Sequence, residues 1–200
     1  EEARTLLTRA GAPPEAGPPV VLIHPGASAP SRRWPAERIA ALAAALVQEG
    51  RGRPVIIEGP AEPGLADEVA RAAGIPLVAL PTLRRVELLA ALLAHSALFI
   101  GHSSGPFHVA CLVGTRTVSL WGDTDPALWG PAWDPERHAV VRSPRPCAPC
   151  ERWSPHGHRI LRGKTSGPGA PCAECMAAIP EEVVRQAVDL QMEALSHQGR

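Results

Sequence analysis

The sequence predicts an α/β fold, a parallel β-sheet covered by helices on both faces. Two observations support this prediction. Short apolar runs rich in β-branched residues alternate along the chain with longer segments whose apolar residues recur at helical spacing. Pro and Gly are frequent, at 23 and 18 of 200 residues, which indicates many loops between short elements. A chain of this length can bury one substantial core.

The predicted elements alternate from the first strand onward. Residues 20–23 form a continuous apolar run, typical of a parallel strand buried on both faces, and residues 35–50 follow as a helix that starts at Pro35 and stops at Gly50. Further strands are predicted at 55–57, 77–80, 97–100 and 117–120, with helices at 65–73, 84–95 and 106–113. Units of strand, helix and strand connect through right-handed crossovers, so they build a parallel sheet.

The N-terminal residues 1–19 are predicted to be a linker or inter-domain segment, in which the end of a helix precedes a Pro-, Gly- and Ala-rich stretch. The domain itself is predicted over residues 20–200. The chain lacks an initiator Met and the pattern of a secretory signal at its start, so we expect a piece of a longer cytoplasmic protein. Its most apolar stretch, residues 88–100, is too short to span a membrane.

The regular alternation stops after Gly122. Residues 123–178 are rich in Pro, Trp, Arg and Cys, with one further strand predicted at 139–141 and a Cys-rich insert at 144–178. Residues 180–195 are predicted to form an amphipathic C-terminal helix. The predicted domain therefore ends in a loop-rich region closed by a helix.

The charges cancel over the whole chain but not locally. Twenty Lys and Arg residues balance twenty Asp and Glu residues, which excludes a global field that would draw the chain to nucleic acid or an anionic membrane. Between residues 137 and 164, however, seven basic residues stand against one acid, Glu151. Three interpretations stay open for this segment: a site for a phosphorylated lipid-core sugar, a site for RNA, or a solvated basic surface.

Two CxxC pairs, Cys147 with Cys150 and Cys172 with Cys175, are separated by 21 residues. This spacing is close to that of a structural zinc site with four cysteine ligands. Disulfides, reduced thiols or an iron–sulfur cluster are the alternatives. Cys111 lies in an apolar segment and is predicted to be a core residue.

The loop after the first strand, residues 24–35, joins small residues to Arg32 and Arg33 just before a helix. Ligands of open parallel sheets bind outside the carboxyl ends of the strands. Small residues such as Ser28 let backbone N–H groups approach an anion, and a guanidinium binds phosphate oxygens in bidentate fashion. The loop therefore predicts a phosphate site, with a surface loop of solvated arginines as the alternative.

The fourth strand runs into a helix whose first turn carries a proline, and this junction also predicts an anion site. Free amides at Ser104, Gly105 and Phe107 are expected to receive a pyrophosphate, with His108 on the first turn facing the pocket or the core. Glu62, after the second strand, stands where related folds hold ribose hydroxyls; a solvated carboxylate is the alternative. No P-loop or strict GxGxxG motif is present.

Several motifs occur in a specific order: HPGAS, RRWP, EGPAE, GHSSGPFHVA, WGDTDPALWGP, the CxxC pairs, and CMAAI before the last helix. The ordered set resembles glycosyltransferase family 9, the heptosyltransferases of bacterial lipopolysaccharide assembly. The resemblance covers about residues 20–192 and matches the C-terminal half of the family. It implies the GT-B architecture, in which two Rossmann-like domains face a cleft and the C-terminal domain holds the nucleotide-sugar donor.

The resemblance also implies roles for individual residues. It places Ser28 and Arg32 at the donor phosphates and Glu62 at the nucleoside. Ser104, Gly105 and His108 contact the pyrophosphate or the sugar, and Ser103 occupies a position that is usually Asp in the family. The catalytic base of the family is an Asp in the N-terminal domain, so no catalytic residue is expected in this chain.

The implied reaction is transfer from ADP-heptose or a similar donor to a lipopolysaccharide-core or similar glycan acceptor, with inversion and without a catalytic metal. The implied location is the cytoplasm, at the inner face of the inner membrane, and the implied partners are the acceptor and the absent N-terminal domain. Two departures from the family pattern are Arg32 in place of Lys and Ser103 in place of Asp. The second is compatible with a non-catalytic member of the family. The alternative function is therefore a non-catalytic module that binds a nucleotide sugar, or a zinc-stabilised module that binds nucleic acid.

Overall fold

The computed structural model describes residues 1–146, 148–149, 151–153, 159–161 and 174–198. Its main sheet has six parallel strands, Val20–Ile23 (β1), Arg53–Ile56 (β2), Val78–Ala79 (β3), Leu98–His102 (β4), Arg116–Trp121 (β5) and His138–Arg142 (β6). The helices are Glu2–Arg9 (α1), Ala36–Gln48 (α2), Leu65–Ala72 (α3), Val86–Ala94 (α4), Gly105–Leu112 (α5), Pro126–Trp129 (α6), Glu174–Ala177 (α7) and Glu181–Gln198 (α8). The predicted α/β fold with a parallel sheet is confirmed.

The strand order is β3-β2-β1-β4-β5-β6, so the direction of winding reverses between β1 and β4. Val21 pairs with Pro54 on one side of β1 and with Leu98 on the other. This is the doubly wound Rossmann order, in which the crossover helices leave a crevice at the carboxyl ends of the two central strands. The topology therefore places a ligand crevice at the ends of β1 and β4.

The apolar run of β1 is continuous because both faces of the strand are buried. Val21 and Ile23 contact the core cluster under α2, α3 and α8, whereas Val20 and Leu22 belong to the cluster under α1, α4 and α5. All four residues are at most 2% exposed. Helix α1 contributes Ala3 and Leu7 to the second cluster, so this part of the predicted N-terminal segment packs on the sheet.

The C-terminal third contains more regular structure than the sequence predicts. The strand expected at 139–141 is confirmed and is longer, because β6 pairs with β5 over five residues. Helix α6 was not predicted; Asp125 begins it by accepting a hydrogen bond from the Ala127 N–H at 3.0 Å. The strands Glu151–Trp153 (β7) and Arg159–Leu161 (β8) form an antiparallel pair. Among the described residues, no helix is long and apolar enough to cross a membrane.

Candidate functional site

A cavity of about 330 Å³ opens at the carboxyl ends of β1 and β2, beside the point where the strand order reverses. Its lining divides by chemistry. The polar side is formed by His24, Ser28, Glu58, Glu62, Ser104 and Gly105. The apolar side is formed by Ile57, Leu83, Val86 and Leu89, and Arg84 and Arg85 also line it. A cavity with one apolar wall and a few converging polar groups is the usual form of a small-molecule site.

The N-terminus of α5 supplies one end of this cavity. Ser104 precedes the helix in an extended conformation, and Pro106 occupies the first turn, where its missing N–H costs nothing. The N–H of Gly105, the first helical residue, has no acceptor within the helix. The expectation of a third free amide is wrong, because the Phe107 N–H donates to the Ser104 carbonyl at 3.1 Å. The Ser104 hydroxyl is buried and has no hydrogen-bond partner within the described part of the chain.

His102, at the end of β4, fixes the loop that follows β1. Its Nε2 accepts the Trp34 N–H at 2.8 Å, and its Nδ1–H donates to the Gly26 carbonyl at 3.0 Å. Burial lowers the pKa of His102 to about 4; the Gly26 hydrogen bond opposes this shift and Arg33 adds to it. The neutral Nδ1–H tautomer is the form that satisfies both bonds. His102 therefore ties two points of the loop 24–35 to the central sheet.

His24 is a second buried imidazole, at the start of the same loop. Burial is the main cause that lowers its pKa to about 4, and His102 and Arg33 add to the shift. Its Nδ1 is buried without a hydrogen-bond partner among the described residues. The ring therefore lines the cavity in its neutral form.

We expect the free energy of unfolding to fall as the pH is lowered from about 6.5 towards 4. Unfolded histidines titrate near the upper value, whereas His24 and His102 stay neutral in the fold down to a pKa of about 4. In this window the unfolded state binds more protons, so stability rises with pH and is lost as pH falls. Each group contributes at most about 1.4 kcal/mol per pH unit.

Urea unfolding at neutral and mildly acidic pH measures this dependence. The variant His102→Asn removes one of the two titrating groups and should show a clearly smaller loss over the same pH interval. An equal loss in wild type and variant would contradict the assignment.

Two carboxylates after β2 have different environments. Burial raises the pKa of Glu58, but hydrogen bonds from the Ala66 N–H at 3.0 Å and the Thr82 hydroxyl at 2.7 Å outweigh it and hold the pKa below its usual value. Glu58 therefore stabilises the start of α3 by accepting a hydrogen bond from it. Burial raises the pKa of Glu62, and Arg33, whose Nη2 lies 4.0 Å from Oε1, opposes that shift.

Arg32 lies beside the cavity. Its Nε donates to Asp123 Oδ2 at 2.8 Å, and its Nη1 donates to the Ser28 hydroxyl at 3.2 Å. Ser28 lines the cavity. Arg32 therefore contacts the cavity wall through Ser28, which is predicted to lie at the donor phosphates.

The cavity brings together four of the residues predicted at the donor: Ser28, Glu62, Ser104 and Gly105. Ser103 and His108 lie outside its lining. Ser103 is half-buried and its N–H donates to the Leu120 carbonyl at 3.3 Å. His108 is exposed on α5, with its ring centroid 5.1 Å from that of Phe107. Their predicted contacts with the donor stay predictions.

Three parts of the site were not found from the sequence. Asp123, 5% exposed, follows β5 within the quoted motif WGDTDPALWGP, so its position after a strand was the available signal. His102 and Arg33 stood in segments that were singled out, but their buried partners come from other loops. Apart from Ile57, which follows β2, the apolar wall comes from the loop after β3 and the start of α4, where no motif marks it.

The predicted zinc site falls mostly outside the described residues. Cys147, Cys150 and Cys172 are not among them. Cys175 is buried in α7 beside Gly122, where an added Cβ would stand 2.7 Å from its sulfur. Zinc at these cysteines stays a prediction. Cys111 is confirmed as a core residue, and burial raises the pKa of its thiol to about 11.

Comparison with known sequences decides the family. The sequence model of glycosyltransferase family 9 (heptosyltransferase) matches residues 1–156. The chain belongs to this family. One curated relative, lipopolysaccharide heptosyltransferase 3 of Escherichia coli strain K12, is 37% identical over 114 residues, which is 56% of this chain and 33% of that protein.

Solved structures similar to this family 9 chain share its fold. A family 9 glycosyl transferase from Veillonella parvula superposes with a TM-score of 0.73 at 20% identity, covering 96% of this chain and 51% of that one. An E. coli heptosyltransferase solved with ADP gives a TM-score of 0.65 at 19% identity, covering 94% of this chain and 48% of that one. The same E. coli enzyme is also solved with ADP-2-deoxy-2-fluoro heptose. The chain thus spans about half the length of these proteins.

Proposed function

We propose that this chain is the donor-binding half of an inverting glycosyltransferase and that it holds a nucleoside diphosphate sugar, with ADP-heptose as the donor. The observation that carries the proposal is the cavity beside the reversal of strand order, whose lining combines a helix N-terminus with apolar side chains. Family membership and the ADP-bound relative support the same ligand class.

The diphosphate fits the polar end of the cavity. The Gly105 amide and the positive end of α5 attract anionic oxygens, and the buried Ser104 hydroxyl has an unused hydrogen-bonding capacity there. Ser28 and Arg32 approach from the loop after β1. In this arrangement the Arg32 guanidinium and fixed dipoles meet the charge of the phosphates.

The nucleoside fits the part of the cavity that Glu62 and the apolar residues line. Glu62 stands in the cavity wall after β2, where a carboxylate accepts hydrogen bonds from ribose hydroxyls. A purine ring would then lie against Ile57, Leu83 and Leu89, which removes apolar surface from water. The lining therefore offers different groups to the diphosphate and to the nucleoside.

The proposed reaction is a displacement at the anomeric carbon. An acceptor hydroxyl gives its proton to a carboxylate base and forms the new C–O bond, while the bond from the anomeric carbon to the diphosphate breaks and ADP leaves. The base belongs to the half of the protein outside this chain. Arg32 and the Gly105 amide stabilise the charge that develops on the leaving diphosphate, an electrostatic contribution that is in place before the reaction.

Ser103 is the main departure from the family pattern near this site. A serine hydroxyl can hydrogen-bond a sugar hydroxyl but carries no charge. The same cavity would also serve a non-catalytic nucleotide-sugar binder, and Ser103 in place of the family's Asp favours that second candidate. The enzyme is expected to turn over substrate in the full-length protein, and the non-catalytic binder is not. Both are expected to bind the same donor.

Calorimetric titration with ADP, UDP and GDP tests donor binding. We expect ADP to bind, and Glu62→Gln to weaken ADP by about three- to thirtyfold while leaving inorganic pyrophosphate unaffected, because the carboxylate meets the ribose. Glu68→Gln, on the exposed face of α3, is the matched control. Absence of nucleotide binding, or equal effects of the two variants, would overturn the proposal.

A further inference from the structure

Arg32 and Asp123 join two loops that are far apart in the sequence. The contact between Arg32 Nε and Asp123 Oδ2 is 2.8 Å long and spans 91 positions of the chain. Only 8% of the Asp123 side chain and 22% of the Arg32 side chain are exposed to solvent. An ion pair that is screened from water to this degree holds its partners in one geometry more firmly than a surface pair does.

The carboxylate of Asp123 is itself fixed. The segment from Trp121 to Thr124, which carries it past the end of β5, is buried throughout, and Trp121 packs edge-on against Phe107 of α5 at a centroid distance of 5.6 Å. Asp123 therefore projects from a buried segment directly after β5 rather than from an exposed loop tip.

The contact uses an N–H group that lysine lacks. Nε–H donates to Asp123, while Nη1, at another edge of the planar guanidinium group, donates to the Ser28 hydroxyl in the cavity wall. A lysine ammonium is a single point of charge and lacks this division. The geometry thus anchors one edge of Arg32 and turns another edge towards the phosphate end of the cavity.

We propose that Asp123 is a positioning residue of the donor site, which holds Arg32 so that its terminal nitrogens meet the diphosphate. This inference rests on the proposed function. Without Asp123 the arginine side chain would have to be ordered by the ligand itself, and that ordering reduces affinity. If Asp123 instead competes with phosphate for Arg32, removal of Asp123 must strengthen diphosphate binding.

A double-mutant cycle separates these outcomes. The variants are Asp123→Asn, Arg32→Ala and the double variant, and the ligands are ADP, inorganic pyrophosphate and adenosine, titrated by calorimetry. We expect Asp123→Asn to weaken ADP and pyrophosphate by about three- to thirtyfold and to leave adenosine unchanged. In the Arg32→Ala background the same change should have no further effect, because Asp123 acts through Arg32.

Asp125→Asn, two residues further on at the start of α6, is the matched control and should leave all three affinities unchanged. Thermal unfolding of each variant shows that it is folded. Unchanged or tighter ADP and pyrophosphate binding by Asp123→Asn would overturn the inference, as would an equal loss in the Arg32→Ala background. If wild type binds pyrophosphate but no nucleotide, the proposed function fails while the role of Asp123 is still measured; if it binds neither, both fail.

Discussion

Replacement of His102 by alanine is expected to lower the free energy of unfolding by about 2–4 kcal/mol and to weaken ADP binding by more than about tenfold. The imidazole is 1% exposed, and its two hydrogen bonds go to the Trp34 N–H and the Gly26 carbonyl. Alanine leaves both backbone groups buried without a partner and opens a void between them. The loop that carries Ser28 and Arg32 then loses its attachment to β4.

Urea unfolding and ADP titration of the same variant measure the two effects. His197→Ala, on the exposed surface near the end of α8, is the control and should change neither quantity. A loss of stability below about 0.5 kcal/mol in His102→Ala would show that the loop is held by other contacts.

Replacement of Gly26 by valine is expected to weaken ADP binding by about ten- to a hundredfold and to cost about 1–3 kcal/mol of stability. A Cβ at this position would stand 2.8 Å from the Glu62 carboxyl carbon and 2.8 Å from His24 Cε1. Both side chains line the cavity, so they must move out of their present positions. The valine therefore distorts the wall that is proposed to hold the ribose.

The control for this variant is Gly50→Asn. Gly50 follows α2 at φ +65°, a conformation that Asn tolerates, and an added Cβ meets nothing within 4 Å. It should leave ADP affinity unchanged. Wild-type affinity in Gly26→Val would contradict the position assigned to the ribose, since the substitution displaces Glu62.

The order of the strands and helices was predictable because it depends on local patterns. Residues of β1 and α2 that are buried in the core are apolar. The apolar run of β1 and the helical spacing of apolar residues in α2 can therefore be recognised in the sequence. The carboxyl-end loops were predictable as a site because parallel topology brings them to one edge. Ser28, Glu62, Ser104 and Gly105 were placed together by that rule.

The contacts that organise these loops were not predictable in the same way. His102 meets its partners over 68 and 76 positions of sequence, and Arg32 meets Asp123 over 91, so no spacing pattern links them. The exposure of His108 was not predictable either. It lies within one turn of Gly105, but its position on α5 turns it to solvent, and proximity in sequence to the helix N-terminus did not decide which face it occupies.

The central claim is that the diphosphate of a nucleotide binds at the N-terminus of α5. The most direct test is to titrate the ¹⁵N-labelled chain with ADP and to measure the amide chemical shifts. The predicted result is that the amides of Ser28, Ser104 and Gly105 shift together and saturably, while Gly52 and Gly114, at the amino-terminal edge of the sheet, stay in place. Shifts that centre elsewhere, for example on the cavity between α1 and the loop after β3, or no saturable shifts at all, would contradict it.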